Sequence, residues 1–171
     1  MDTSTSAHDA YSPEFLSAVE RVLADEGSYS SNPADPGGET KFGISARSNP
    51  GVDIAALTRD AAIEIYWREW WLRFGFAQLP DAIGAKTFDL SVNIGASHAI
   101  ECLRRALRAC GSPVTEDGTL GPATILAARR ANPIAMMSAM RSEAAGYYRL
   151  VAAHQKSGAQ FIKGWLNRAY A

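Results

Sequence analysis

The chain has 171 residues, 47% apolar and 20% charged, enough for one domain, or one lobe with a small appendage, built on a real hydrophobic core; an intrinsically disordered chain is excluded. No run approaches the roughly 18–20 apolar residues of a membrane-spanning helix, and Met1-Asp2-Thr3-Ser4-Thr5-Ser6-Ala7-His8 lacks the basic start and apolar run of a signal peptide, so a soluble, cytoplasmically made product without membrane insertion is expected. The net charge of −1 hides an asymmetry: residues 1–95 carry 7 Lys/Arg and 14 Asp/Glu, whereas residues 96–171 carry 10 and 4.

An acidic front half and a basic back half suit chemistry in front and attraction to a polyanion behind; helix faces that merely differ in solvation would look the same. Cys102 and Cys110 fall eight apart in one expected helix, about 12 Å at ~1.5 Å per residue, too far for a disulfide, so both are expected as free thiols.

In chain order, residues 1–11 are small and polar and read as a flexible tail. Ser12-Pro13 reads as a helix cap followed by proline in the first turn, and Phe15, Leu16, Val19, Val22 and Leu23 recur with the helical period up to Gly27. Ser28 to Ser45 is rich in Ser, Asn, Pro, Asp and Gly, with Asp35-Pro36-Gly37-Gly38 as a turn, which predicts a small β-hairpin or looped lip. Thr58 caps a second helix with a buried stripe of Ile63, Tyr66, Trp67, Trp70, Trp71 and Phe74. Ile83 to Ile94 is apolar on most sides and reads as a central helix, with Asp89 and Asn93 four apart on one face. Ser97 is expected to cap a helix through Cys110; further helices are expected at Pro122–Ala131, at Pro133–Gln155 and around Phe161–Leu166. The expected fold class is mainly α with one small β-hairpin.

The first helix carries the chemistry. Extending its apolar face by its own period reaches Glu26, seven residues after Val19 and four after Val22. A carboxylate there is desolvated and meets the negative end of the helix dipole; both effects raise its pKa, as a general acid requires. A salt-bridged helix-end Glu would fit the same local pattern. Asp35 follows nine residues later and Thr40 five after that, across a glycine-rich lip. An acid facing a carboxylate and a hydroxyl is what protonating a glycosidic oxygen while steering a water to the opposite face demands.

Clustered metal ligands are lacking, since His8, His98 and His154 have no common company, so no metal or other cofactor is expected. Cys102 lies among Ile100, Leu103 and Leu107, as a packing cysteine does. Trp67, Trp70 and Trp71 are expected in the core rather than on a sugar, and Arg104, Arg105, Arg108, Arg129 and Arg130 either meet an anionic surface or are simply solvated.

The block from Glu26 through Tyr29, Asp35, Gly37, Gly38 and Thr40 to Gly43-Ile44 resembles the E-G-G-Y … D-x-G-G-x-T-x-x-G-I signature of the glycoside hydrolase 108 family, N-acetylmuramidases of the phage endolysin type. Phe88-Asp89-Leu90-Ser91-Val92-Asn93-Ile94-Gly95 is similar to that family's F-D-x-x-V-N-x-G helix. Asp117-Gly118-Thr119-Leu120-Gly121-Pro122-Ala123-Thr124 and Phe161-Ile162-Lys163-Gly164-Trp165-Leu166-Asn167-Arg168 resemble the D-G-x-x-G-P-x-T turn and F-x-x-G-W-x-N-R close of its peptidoglycan-binding region.

The resemblance implies a lysozyme-like fold, with a catalytic lobe over residues 12–95 and a helical peptidoglycan-binding region over residues 96–171 packed on it. It implies cleavage of the MurNAc-β-1,4-GlcNAc bond with Glu26 as acid, Asp35 and Thr40 positioning water, and Tyr29, Asp89 and Asn93 lining the cleft. Peptidoglycan glycan strands are the implied partner; nucleic acid is not, and a monomer is expected that reaches the wall through a holin or another export route. Ser28 stands where the family usually has Gly. A degenerate binding module and a lytic transglycosylase are the alternatives.

Overall fold

The computed structural model describes residues 11–25, 29, 38–115, 119–155 and 158–171. Glu26, Ser28, Asp35 and residues 1–10 lie outside them. The described residues form seven α-helices and one two-stranded antiparallel sheet, a mainly α fold with a small hairpin. None of these helices is long and apolar enough to cross a membrane. The chain divides into two compact units, residues up to Phe74 and Gly75–Ala171.

In the first unit, α1 (Pro13–Asp25) starts where Ser12 accepts the Phe15 amide at 3.2 Å. Its period puts Phe15, Ala18, Val19 and Val22 on one fully buried face. Thr58 caps α2 (Arg59–Tyr66) by accepting from the Ala61 amide at 3.2 Å. The regular period expected through Phe74 stops at Tyr66: Trp67–Leu72 forms one wide π-turn, with the Arg73 amide reaching the Arg68 carbonyl. Trp67 and Trp71 both stand beside Phe15, with centroids 4.9 and 5.5 Å away, so these two indoles serve the core.

The hairpin consists of β1 (Thr40–Lys41) and β2 (Ile44–Ser45), pairing Thr40 with Ser45 and Lys41 with Ile44. Its turn is Phe42-Gly43; residues 35–37 of the expected Asp35–Gly38 turn lie outside the described residues. Both turn residues have positive φ, 54° and 76°, as a two-residue turn matched to strand twist demands. Glycine takes this conformation freely and phenylalanine does not. The Tyr66 hydroxyl donates to the Phe42 carbonyl at 3.0 Å and anchors the turn to α2.

In the second unit, α3 (Asp81–Ile94) is buried on most sides and packs against α4 (Ala96–Ala109) and α6 (Pro133–His154). Gly95, with φ 85°, lets α4 begin immediately after α3, so the residue before α4 is Gly95 and Ser97 falls inside the first turn. The remaining helices are α5 (Pro122–Arg130) and α7 (Gly158–Tyr170), the latter packed along α6. Small buried residues, Ala144, Ala145 and Ala169, occupy α6 and α7. Cys102 is buried and Cys110 half-buried, both free; burial raises the Cys102 thiol pKa to about 11.

The Tyr11 hydroxyl donates to Glu64 Oε2 at 2.5 Å, and burial, reinforced by that carboxylate, raises its pKa from 10.0 to about 12. The folded state therefore holds this proton more tightly than the unfolded chain, and the contribution to stability is present below pH ~10 and lost as pH rises toward ~12. Melting temperatures at ~pH 9 and ~pH 11 should fall further for the wild type than for Tyr11→Phe; equal falls would show that Tyr11 contributes nothing to alkaline unfolding.

Candidate active site

In the first unit, Thr40 opens β1 and is half-buried, its place on the strand fixed by pairing with Ser45. Tyr29 is exposed, and its hydroxyl donates to Glu39 Oε1 at 2.7 Å, which ties its ring to the residue just before the strand. Tyr29 and Thr40 thus share one local platform at the base of the hairpin. The described part of α1 ends at Asp25, directly before Glu26.

In the second unit, Asp89 and Asn93 lie one turn apart on α3. Asp89 is largely buried between two cations, with Lys86 Nζ 3.9 Å from Oδ2 and Arg168 Nε 3.8 Å from Oδ1. Lys86 is 5% exposed and also donates to the Arg168 carbonyl at 2.6 Å. A cation this deep needs a facing anion and acceptors to offset its lost hydration, and α3 and α7 together supply them. Asn93 is exposed, and its Oδ1 accepts from the buried Tyr148 hydroxyl at 2.7 Å. Burial pushes the Tyr148 hydroxyl well above its usual range, Arg168 opposing and Asp89 adding to the rise, so it remains a donor. That bond takes one lone pair of the Asn93 oxygen and leaves its amide N–H groups as donors. Two donors on a fixed carboxamide suit an acetamide carbonyl or a sugar hydroxyl.

Lys86, Tyr148 and Arg168 were not singled out as site residues from sequence. Lys86 had a signal in its i, i+3 spacing to Asp89, and Arg168 closes the last motif; nothing local marks Tyr148. The arginines of the back half divide by role. Arg104 is buried and donates to the Thr119 carbonyl, and Arg129 Nε donates to the Gln78 carbonyl at 3.0 Å, whereas Arg105, Arg108 and Arg130 are exposed. Among the described residues no group of three or more His, Cys, Asp or Glu converges as metal ligands do.

Residues 19–95 match the family model described as glycosyl hydrolase 108, and residues 98–170 match that described as a predicted peptidoglycan domain. The chain thus carries a glycosyl hydrolase 108 region followed by a peptidoglycan-binding region. It is a peptidoglycan-active protein. Among solved structures it is similar to the structure of Brucella abortus SagA, with 26% identity and a TM-score of 0.72 over 91% of this chain and 88% of that one. Comparison with curated proteins gives no match. The glycosyl hydrolase 108 match takes in most of α1, the hairpin and all of α3, so it spans all six residues expected to form the site.

Asp89→Asn removes the anion that Lys86 and Arg168 face and should cost about 3 kcal/mol, the scale for breaking one partner out of a buried ion cluster. Urea unfolding of the variant measures this; a loss within experimental error of zero would assign Asp89 to substrate contact alone.

Proposed function

We propose that the protein is an N-acetylmuramidase that hydrolyses the MurNAc-β-1,4-GlcNAc bond of peptidoglycan, with Glu26 as general acid and Asp35 and Thr40 positioning the attacking water. The observation that carries this reading is the buried face of α1. Phe15, Val19 and Val22 are wholly withdrawn from solvent, and the next position of that period is Glu26. The sequence period carries that stripe on to Glu26, where withdrawal from solvent would favour the protonated form that donates to a leaving oxygen.

Support comes also from the hairpin, which holds Thr40 on a strand whose turn is fixed to α2 through Tyr66 and Phe42. In the second unit, Asn93 presents its amide donors from a carboxamide held by Tyr148, a suitable group for an N-acetyl sugar. Tyr29, Asp89 and Asn93 are the proposed cleft-lining residues, and the protein acts at the wall after release from the cytoplasm.

Mass spectrometry of muropeptides from purified sacculi tests the reading. The wild type should leave reducing muramic acid ends, and Glu26→Gln should lower the rate by a factor on the order of 100 or more, the scale of lost general acid catalysis. Anhydro ends alone would make the protein a lytic transglycosylase, and intact glycan at high protein concentration would make it a binding module.

A further inference from the structure

On α7, Phe161, Gly164, Trp165 and Arg168 follow one another at helical spacings of three, four and seven residues from Phe161 and so share one face. The Phe161 and Trp165 rings stack, with centroids 5.9 Å apart and planes 28° from parallel, and Trp165 stacks in turn with Tyr148 of α6 at 5.8 Å and 23°. Tyr147 meets Tyr148 edge-on, so among the described residues the near-parallel run ends there. Exposure rises along the run: Tyr148 is buried, Trp165 half-buried and Phe161 47% exposed. Its buried end is tied to the candidate site, since the Tyr148 hydroxyl donates to Asn93 Oδ1 at 2.7 Å.

Packing of α7 on α6 accounts for the buried Tyr148, but not for an aromatic ring kept half in water at the other end of the run. Gly164 is a second, independent anomaly on the same face. It is exposed and lies in the interior of α7, where glycine is less stable than alanine. A Cβ built on it would meet nothing within 4 Å among the described residues, so packing against them does not require its small size. What the missing methyl leaves is room for a ligand to approach the backbone closely beside two aromatic rings.

Uncharged aromatic rings near a planar amide suit an acetamido sugar. The C–H face of a β-1,4-linked pyranose lies flat on a ring, and its acetamide carbonyl accepts from an amide N–H. Arg168, the cation of this face, is directed at Asp89, with Nε 3.8 Å from Oδ1, so a carboxylate-bearing stem peptide is not what the face matches. We infer that the α7 face of Phe161, Gly164 and Trp165 is a subsite for the N-acetylated glycan strand, continuous with Asn93. One sugar rests on the two rings over Gly164, and Asn93 donates to the acetamide of the sugar next to it along the strand. The inference rests on the peptidoglycan reading for the identity of the polymer, and deepens it by assigning the glycan to named residues of the second unit.

The test is an NMR titration of the full chain, isotope-labelled at nitrogen, with chitotetraose, which has the acetamido backbone but no muramic acid bond. The Trp165 indole and Asn93 side-chain amide signals should shift saturably and together, whereas the core indoles of Trp67 and Trp71 stay in place. Cellotetraose, with a hydroxyl in place of each acetamide, should bind roughly tenfold more weakly, as expected for a lost hydrogen bond. Phe161→Ala should weaken chitotetraose binding by about fivefold, the scale of one aromatic stacking contact. Gly164→Ala separates binding from folding: it should raise the melting temperature by about 2 °C and still weaken binding by about fivefold or more. Wild-type affinity in Gly164→Ala, equal binding of the two tetrasaccharides, or a Trp165 signal that does not move would each overturn the assignment. Sacculus digestion is scored separately: chitotetraose binding without cleavage overturns the muramidase reading alone, and cleavage with Trp165 unmoved overturns this inference alone.

Discussion

One carboxylate between two buried cations sets the geometry of the second unit. Lys86 could not sit at 5% exposure on an otherwise apolar helix without acceptors, and it finds them in Asp89 one turn on and in the carbonyl of Arg168 at the far end of the chain. That carbonyl belongs to the residue whose guanidinium also approaches Asp89. The cluster therefore fixes α7 against α3 at a defined register, which plain apolar packing would leave freer to slide. Asn93, one turn beyond Asp89, inherits this fixed position, and Tyr148 fixes its amide orientation.

A second long-range constraint operates in the first unit. The turn of the hairpin asks Phe42 for a backbone conformation that costs roughly 1 kcal/mol or more in a bulky residue. The bond from Tyr66 to the Phe42 carbonyl supports it from α2, itself begun by the Thr58 cap. Thr40 and Glu39, and through Glu39 the Tyr29 ring, are positioned by this chain of contacts. The two halves of the proposed machinery are thus each held from a distant helix.

The helices were legible because burial writes its period directly into the sequence: Phe15, Val19 and Val22 mark α1, and Ser12 and Thr58 announce helix starts with their side-chain oxygens. The hairpin was legible as an element, but its own turn at Phe42-Gly43 was not, because phenylalanine carries no turn signal and the conformation is supported from α2 by Tyr66; residues 35–37 of the expected Asp35–Gly38 turn lie outside the described residues. The π-turn at Trp67–Leu72 has no local signal, since it satisfies ring packing around Phe15 instead of backbone preference. At the candidate site, Asp89 and Asn93 stood out as polar residues on an apolar helix. Their partner Tyr148 was silent, being 55 residues from Asn93 and distinguishable from Tyr147 only by burial. Glu26 and Asp35 rest on helical period and family resemblance.

The contrast between the two thiols gives the molecule a built-in reporter of its own integrity. Cys102 is packed in α4 with its thiol raised to about 11, so almost none of it is thiolate at neutral pH and alkylating reagents find neither access nor a nucleophile. Cys110, at the end of the same helix, is partly open to solvent. One label marks an intact fold; a second is taken up only when α4 separates from its neighbours, so labelling stoichiometry tracks opening of the peptidoglycan-binding region independently of activity.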